Sequence, residues 1–166
     1  MRLVSQATPA PPVKPASTAS AIRVDRYRES HFDQVFAIES QSFGTDSYNR
    51  EFFQRLCEDN WEFTFVATRR DKVVGYIMGE HQPNSGEVVS LAVDRQYQGR
   101  GLGKKLLRRL LKRLRDEATP VVFLMVRVDN PVASKLYRDC GFQLVRRVPN
   151  YYTDGTTALR MKLRLL

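Results

Sequence analysis

The sequence predicts an α+β domain: a mixed, mostly antiparallel central sheet flanked by helices. Three observations predict it. The elements read in the order β-α-α-β-β-β-α-β-α-β-β. One helix carries a leucine stripe long enough to cover a sheet, and a glycine-rich loop joins that helix to the strand before it. At 166 residues there is room for one domain with a real core.

Residues 22–27 alternate apolar and polar side chains and read as a first strand. Ser30 caps a helix whose apolar face is Phe32, Val35, Phe36, Ile38 and, further on, Phe43. Residues 44–47 turn, and a second helix from about Asn49 buries Phe52, Phe53 and Leu56. Residues 63–68 form a strand, 69–72 a tight turn and 73–79 its hairpin partner. After a turn at 83–86, residues 87–93 form the strand that feeds the glycine loop. In the helix at 101–117, Leu102, Leu106, Leu107, Leu110, Leu111 and Leu114 share one stripe. Lys104, Lys105, Arg108, Arg109, Lys112, Arg113 and Arg115 cover the rest as a solvated face. Pro120 ends that helix, and 121–128 is nearly all apolar, as a centrally buried strand should be. Asn130-Pro131 opens a short helix with Asn as cap and Pro at the first helical position, and Gly141 closes it. Residues 142–148 and 157–165 read as a final antiparallel pair around the loop 150–155.

The apolar content of 42%, without any long apolar run, fits a globular protein and argues against a membrane span. Two cysteines, Cys57 and Cys140, suit a reducing, cytoplasmic setting better than a disulfide scaffold. With two histidines there is no metal-ligand cluster, so no metal is expected. The net charge of +9 favours anionic partners: nucleic acid, a ribosome surface or a polyphosphate cofactor. No aromatic residues interleave with the basic ones on the long helix, which disfavours single-stranded nucleic acid. Residues 1–20 hold four prolines and no acid, and read as a flexible Pro/Ser/Ala-rich tail before a domain at 21–166. That tail lacks the continuous apolar segment of a secretory signal.

The loop Gln98-Gly99-Arg100-Gly101-Leu102-Gly103-Lys104 carries the chemistry. Three glycines at alternate positions let the backbone adopt unusual dihedrals and leave space for a close approach. Backbone N–H groups at a helix start lack intrahelical partners, and the helix dipole adds positive charge. The loop therefore reads as an anion seat for a phosphate group or, in the plainer reading, as a glycine-rich turn that joins strand to helix. It is not a Walker loop: Gln98 stands where the first Gly belongs and Lys105 where the hydroxyl belongs. Nor is it a dinucleotide fingerprint, because the third glycine comes one residue early and the loop lies past mid-chain. What fits is Gln/Arg-x-x-Gly-x-Gly/Ala, met by Gln98, Gly101 and Gly103 after a strand ending Leu91-Ala92-Val93.

That pattern resembles the acetyl-CoA loop of the GCN5-related N-acetyltransferases (GNAT). Nearly the whole chain after Ser20 is similar to their RimI-type branch, which acts on protein N-termini. The matching segments are Ile38-Glu39-Ser40-Gln41-Ser42-Phe43, Val74-Gly75-Tyr76-Ile77-Met78-Gly79, Leu91-Ala92-Val93, the glycine loop, Val126-Arg127-Val128-Asp129-Asn130, Leu136-Tyr137 with Gly141-Phe142, and Asn150-Tyr151-Tyr152 with Asp154-Gly155. The resemblance implies the GNAT acyl-CoA acyltransferase fold, with acetyl-CoA as acetyl donor. The backbone of Leu91, Ala92 and Val93 would pair with the pantetheine arm as a peptide strand would. Backbone N–H groups of Gln98, Gly99, Arg100, Gly101, Leu102, Gly103 and Lys104 would hold the pyrophosphate, with charge from Arg100 and Lys104. Asn130 would hydrogen-bond the cofactor as well as capping its helix, and Tyr137 would act as general acid at the thioester sulfur. A neutral amine would attack the thioester directly, in a ternary complex. A backbone N–H at the end of the 87–93 strand would steady the tetrahedral oxyanion.

The match fails at one informative place. The branch carries a glutamate base in Leu-Glu-Val-Arg, and this chain has Leu124-Met125-Val126-Arg127. Met125 cannot accept a proton. Glu87 on the adjacent strand is the best substitute, as histone-type members of the superfamily place their glutamate, with Glu80 in reserve. A protein α-amine, pKa roughly 7.7–8.0, reaches its neutral form at pH 7 for about 1–1.4 kcal/mol, against about 4.6 for lysine. An N-terminal substrate therefore needs little help. The family's Pro-Trp is replaced by Thr45-Asp46-Ser47-Tyr48, and the acidic pair after Asp-Gly by Thr156-Thr157. Tyr151 and Tyr152 would wall the acceptor slot, with Phe43 and Tyr48 opposite. Three functions compete: acetyl transfer to a protein N-terminus, that of a ribosomal protein included; acetyl transfer to a small amine or lysine; and a basic binding module on ribosome or RNA without catalysis.

Overall fold

A computed structural model describes residues 21–166; the expected tail at 1–20 lies outside the described residues. The elements are β1 (Arg23–Arg26), α1 (Phe32–Phe43), α2 (Arg50–Asp59), β2 (Thr64–Arg69), β3 (Lys72–Gln82), β4 (Ser85–Val93), α3 (Leu102–Asp116), β5 (Val121–Arg127), α4 (Pro131–Asp139), β6 (Gln143–Val148) and β7 (Ala158–Arg164). They follow the expected order. The strands form one sheet, β1-β2-β3-β4-β5-β7-β6, antiparallel except for the β4–β5 pair.

α3 lies on one face of the sheet. Its six stripe leucines are all buried, packed with Phe65, Ile77, Leu124 and Val126 from the strands and with Tyr137 and Phe142 from the α4 region. α1 and α2 lie on the other face, where Val35, Ile38, Phe53 and Cys57 bury Val66, Tyr76, Met78 and Ala92. Burial of this kind stabilises by about 25 cal/mol per Å² of apolar surface. Gly79 and Gly86 bring β3 and β4 close under α3: a Cβ on Gly79 would meet Leu110 Cδ1 at 2.6 Å.

Three local expectations are corrected. Ser30 does not cap α1, because residues Glu29–His31 form a single 3-10 turn and His31 is the N-cap, without a side-chain bond. In α2, Phe53 and Cys57, four residues apart, form the buried stripe, and Phe52 lies at its edge, 45% exposed. β5 is not buried on both faces: Val122, Leu124 and Val126 are buried, while Val121, Phe123, Met125 and Arg127 are half-buried. α1 and α2 do not extend over that half of the sheet.

Two irregularities of β4 shape the site. Its register with β3 slips between Met78 and Gly79, so that Val88 faces Gly79, Ser90 faces Met78 and Val89 is the extra residue of a bulge. Its pairing with β5 covers Gly86, Glu87 and Val88 and then stops. From Val89 onward the two parallel strands part, leaving a wedge between them.

Candidate active site

The wedge and the glycine loop lie at the same end of β4. Gly99 and Gly101 adopt φ of +73° and +76°, the left-handed region that only glycine enters without strain, and a Cβ on either would point into open space. Gly103 answers a different demand: its Cβ would lie 3.4 Å from Leu136 of α4. The Gln98 side-chain amide donates to the Val93 carbonyl at 2.9 Å, pinning the loop to the strand end. Its backbone N–H is turned to Arg95 O at 3.5 Å. Among the described residues, the N–H groups of Gly99, Arg100, Gly101, Leu102, Gly103 and Lys104 find no acceptor, and the first bond of α3 runs from Lys105 N–H to Gly101 O at 3.1 Å. Six consecutive free donors at the positive end of a 15-residue helix make a strong anion seat. Arg100 stacks over the Tyr97 ring at 5.6 Å, and Lys104 faces the end of α4, near Asp139 and Cys140.

β4 is free of β5 from Val89 onward, a stretch that includes Leu91, Ala92 and Val93, and Gln98 already donates to one lone pair of the Val93 carbonyl. Asn130 caps α4, its Oδ1 accepting from Ala133 N–H at 3.0 Å, and its amide nitrogen has no partner among the described residues. Tyr137 is buried edge-on against Phe142, with centroids 5.8 Å apart. No group among the described residues bonds its hydroxyl, and burial raises the hydroxyl's pKa well above 10, with Tyr152 adding to the shift. A phenol that stays protonated can give a proton as an acid but is not a base at neutral pH. Tyr137→Phe is expected to lower kcat about 10- to 100-fold with unchanged Tm, since the lost hydroxyl has no bond to lose. Equal turnover by the variant in a single-turnover assay would leave Tyr137 a core residue.

On the α1/α2 side of β4, Glu87 sits one residue before the bulge, directly across from Glu80 of β3 and Phe123 of β5. Burial raises the pKa of its carboxyl; Arg160 acts against that and Glu80 adds to it. Tyr48 and Tyr151 stand close enough for their charges and that of Glu87 to couple. Tyr48 stacks on Phe53 with centroids 6.0 Å apart, Tyr151 meets Tyr152 edge-on at 5.0 Å, and burial pushes the Tyr152 hydroxyl up to about 12. Of the expected acceptor wall, Phe43 stands apart: it is 36% exposed and, among the described residues, shares no ring contact with Tyr48.

Sequence reasoning missed two devices here. The first is buried Glu39 of α1, whose Oε2 accepts from the Tyr76 hydroxyl and from Ser90 Oγ (3.0 Å), while Oε1 accepts the Tyr48 N–H at 3.2 Å. One carboxylate thus ties the bulge to the acceptor loop. Its signal was a glutamate four residues after Val35, inside an apolar stripe. The second is Arg127, which donates to Asp46 (2.7 Å), Asp129 (3.0 Å), Asp154 (2.6 Å) and Thr156 (2.8 Å), and lies 4.7 Å over the Tyr152 ring. Asp46 also accepts from the Thr153 backbone at 3.2 Å. The loops 44–48 and 149–157 are clasped together over the Arg127 end of β5. Charge-assisted bonds of this kind are about twice as strong as neutral ones.

Among the described residues no group of side chains could hold a metal ion, and no helix is long and apolar enough to cross a membrane. Known proteins are similar to the chain in sequence and in fold. The chain is similar to the N-alpha-acetyltransferase RimI of Mycobacterium tuberculosis, 37% identical over 75% of this chain and 81% of that one. It spans only 37% of another relative, an uncharacterized protein of Mycobacterium leprae, at 34% identity over 78% of this chain. In structure it is similar to Ard1 from Thermoplasma volcanium (TM-score 0.82, 28% identity, 88% of this chain and 99% of that one). It is also similar to the ribosomal-protein-S18-alanine N-acetyltransferase of Escherichia coli (TM-score 0.79, 25% identity, 87% and 94%). Residues 31–142 match the model of the Acetyltransferase (GNAT) family, and the chain belongs to that family.

Proposed function

We propose that the chain transfers an acetyl group from acetyl-CoA to the N-terminal α-amine of a protein, by direct attack of the amine on the thioester. One observation carries this reading: β4 and β5 part directly after Val88, in line with six free N–H groups on one side and an aromatic slot on the other. The glycine loop seats the pyrophosphate, and the pantetheine arm adds to β4 along residues 89–93. The thioester then lies in the wedge, within reach of the Tyr137 hydroxyl, and a main-chain N–H freed at the bulge steadies the oxyanion. Glu87 takes the proton from the incoming ammonium. As the C–N bond forms and the C–S bond breaks, Tyr137 gives its proton to the departing thiolate and is restored by the second proton, shed by the new amide nitrogen. The names of the relatives support the α-amine as acceptor, since that of M. tuberculosis is an N-alpha-acetyltransferase and that of E. coli a ribosomal-protein-S18-alanine N-acetyltransferase. The ribosomal protein named for the E. coli enzyme sets a candidate acceptor, not the acceptor, because Asp46 and Tyr48 build this slot in place of Pro-Trp.

The test is release of free thiol from acetyl-CoA against peptides with free N-termini, the same peptides blocked at the N-terminus but carrying lysine, and polyamines. Turnover confined to free N-termini is expected. Turnover confined to lysine peptides or polyamines would replace the acceptor class, and none at all would refute acetyl transfer.

A further inference from the structure

The half-sheet formed by β5, β7 and β6 has no helix on the face that carries Glu87. The core beneath α1 and α2 takes its buried strand residues from β2, β3 and β4, and none from β5, β6 or β7. Residues directly opposite one another across a ladder share a face. The registers therefore place Glu80, Glu87, Phe123, Lys162 and Gln143 in one row across five strands. The next row toward the clasp holds Met125, Arg160 and Arg146, and the row on the far side holds Val121 and Arg164. Within a few strand widths, two carboxylates give way to four cations.

Those cations, Arg146, Arg160, Lys162 and Arg164, stand outside every salt bridge among the described residues. Arg146 and Arg164 are exposed, and Arg146 stands directly opposite Arg160, a like-charge pairing that costs stability. The Arg160 guanidinium lies 4.7 Å over the Phe123 ring and acts on the Glu87 carboxyl, so the basic column begins beside the acid. At the other end of the slot, the Asp46–Arg127–Asp154 clasp bars the way out past Arg127.

We infer that the acceptor chain runs from its amine at Glu87 over this uncovered face, and that the protein selects N-termini followed within a few residues by Asp or Glu. The inference rests on the acetyl-transfer reading above. Lys162 is two strands from Glu87, roughly 10 Å, which an extended chain covers in about three residues. The ammonium is received by Glu87 and Glu80, and carboxylates from the third residue onward by Arg160, Lys162 and Arg146. A nucleic acid fits less well. Glu80 and Glu87 share their row with Lys162 and repel phosphate, and Phe123 is already covered by Arg160.

The experiment uses peptides that share their first two residues and carry Asp/Glu, Ser/Gly or Lys at positions three to six. KM for the acidic set is expected about five- to tenfold below that of the neutral set, with similar kcat and a gap that narrows in high salt. The double variant Arg146→Glu, Lys162→Glu should invert the order while leaving kcat on the neutral set unchanged. Anisotropy of a labelled acidic peptide, without acetyl-CoA, gives a second readout that needs no turnover. Equal KM across the sets, or an order that survives the double variant, would overturn the inference and leave acetyl transfer standing. Displacement of the labelled peptide by a short RNA at lower concentration than by unlabelled peptide would assign the face to nucleic acid and overturn it too. Absence of turnover with every peptide would sink the acetyl-transfer reading on which the inference rests, whatever the anisotropy reads.

Discussion

Glu87→Gln is expected to lower turnover at pH 7 about tenfold on an N-terminal peptide, with acetyl-CoA affinity unchanged. The size follows from the substrate. An α-amine of pKa roughly 7.7–8.0 is already neutral in about one molecule in ten at pH 7, so losing the base costs about 1–1.4 kcal/mol. The loss should therefore vanish as the pH is raised past 8, where the amine needs no help. In the wild-type protein the acid limb of kcat/KM should lie above the ordinary glutamate range, because burial raises the carboxyl's pKa. Stability moves the other way. A group whose folded pKa is raised holds its proton more tightly when folded, so its contribution is greatest below the ordinary glutamate pKa and is lost as the pH rises through the folded value. At pH 7 the charged form is the less favourable one in the fold, and the Gln variant should melt no earlier than wild type. Unchanged turnover at pH 7 would take Glu87 out of the mechanism and bring Glu80, its cross-strand neighbour, forward.

The second large effect is at the loop. Gly101→Val is expected to weaken acetyl-CoA binding at least about tenfold while the domain stays folded. A β-branched residue at φ +76° is strained by about 1–2 kcal/mol, and its side chain would stand in the open space before the free N–H groups. Because nothing lies within 4 Å of the added Cβ, the damage is to the seat and not to the core. Gly103→Ala is the comparison: its Cβ would meet Leu136 at an ordinary 3.4 Å, so its binding loss should be smaller. Equal losses at both positions, or none at Gly101, would mean that the left-handed turn is not what binds the anion.

Where a local period dominated, the sequence was legible. The leucines of α3, the Asn-Pro start of α4 and the alternation of β1 each placed an element to within a residue or two. The failures have the same physical root. Phe52 and Phe53 are equally apolar, and the buried stripe of α2 runs through Phe53 and Cys57, four residues apart, which leaves Phe52 at its exposed edge. The α1 cap was misread because the chain takes a 3-10 turn before entering the helix. The donors of the glycine loop belong to neighbouring residues, so the loop was readable as a string. The clasp and the Glu39 knot were not: Asp46 meets Thr153 across 107 positions and Glu39 meets Ser90 across 51. No periodicity encodes such pairs; they exist only once α1 is docked on β4 and the β6–β7 loop folds over Arg127. The parting of β4 from β5 was equally hidden, since β5 reads as an unbroken apolar run and nothing in the β4 residues marks where their pairing ends.

The central claim is that main-chain donors at 99–104 seat a pyrophosphate while the parted strand receives the arm that carries the thioester. Titration calorimetry of the wild-type protein with coenzyme A tests it most directly. Binding at one site per chain, competed by inorganic pyrophosphate, is the predicted result; no heat with either coenzyme A or acetyl-CoA would contradict it.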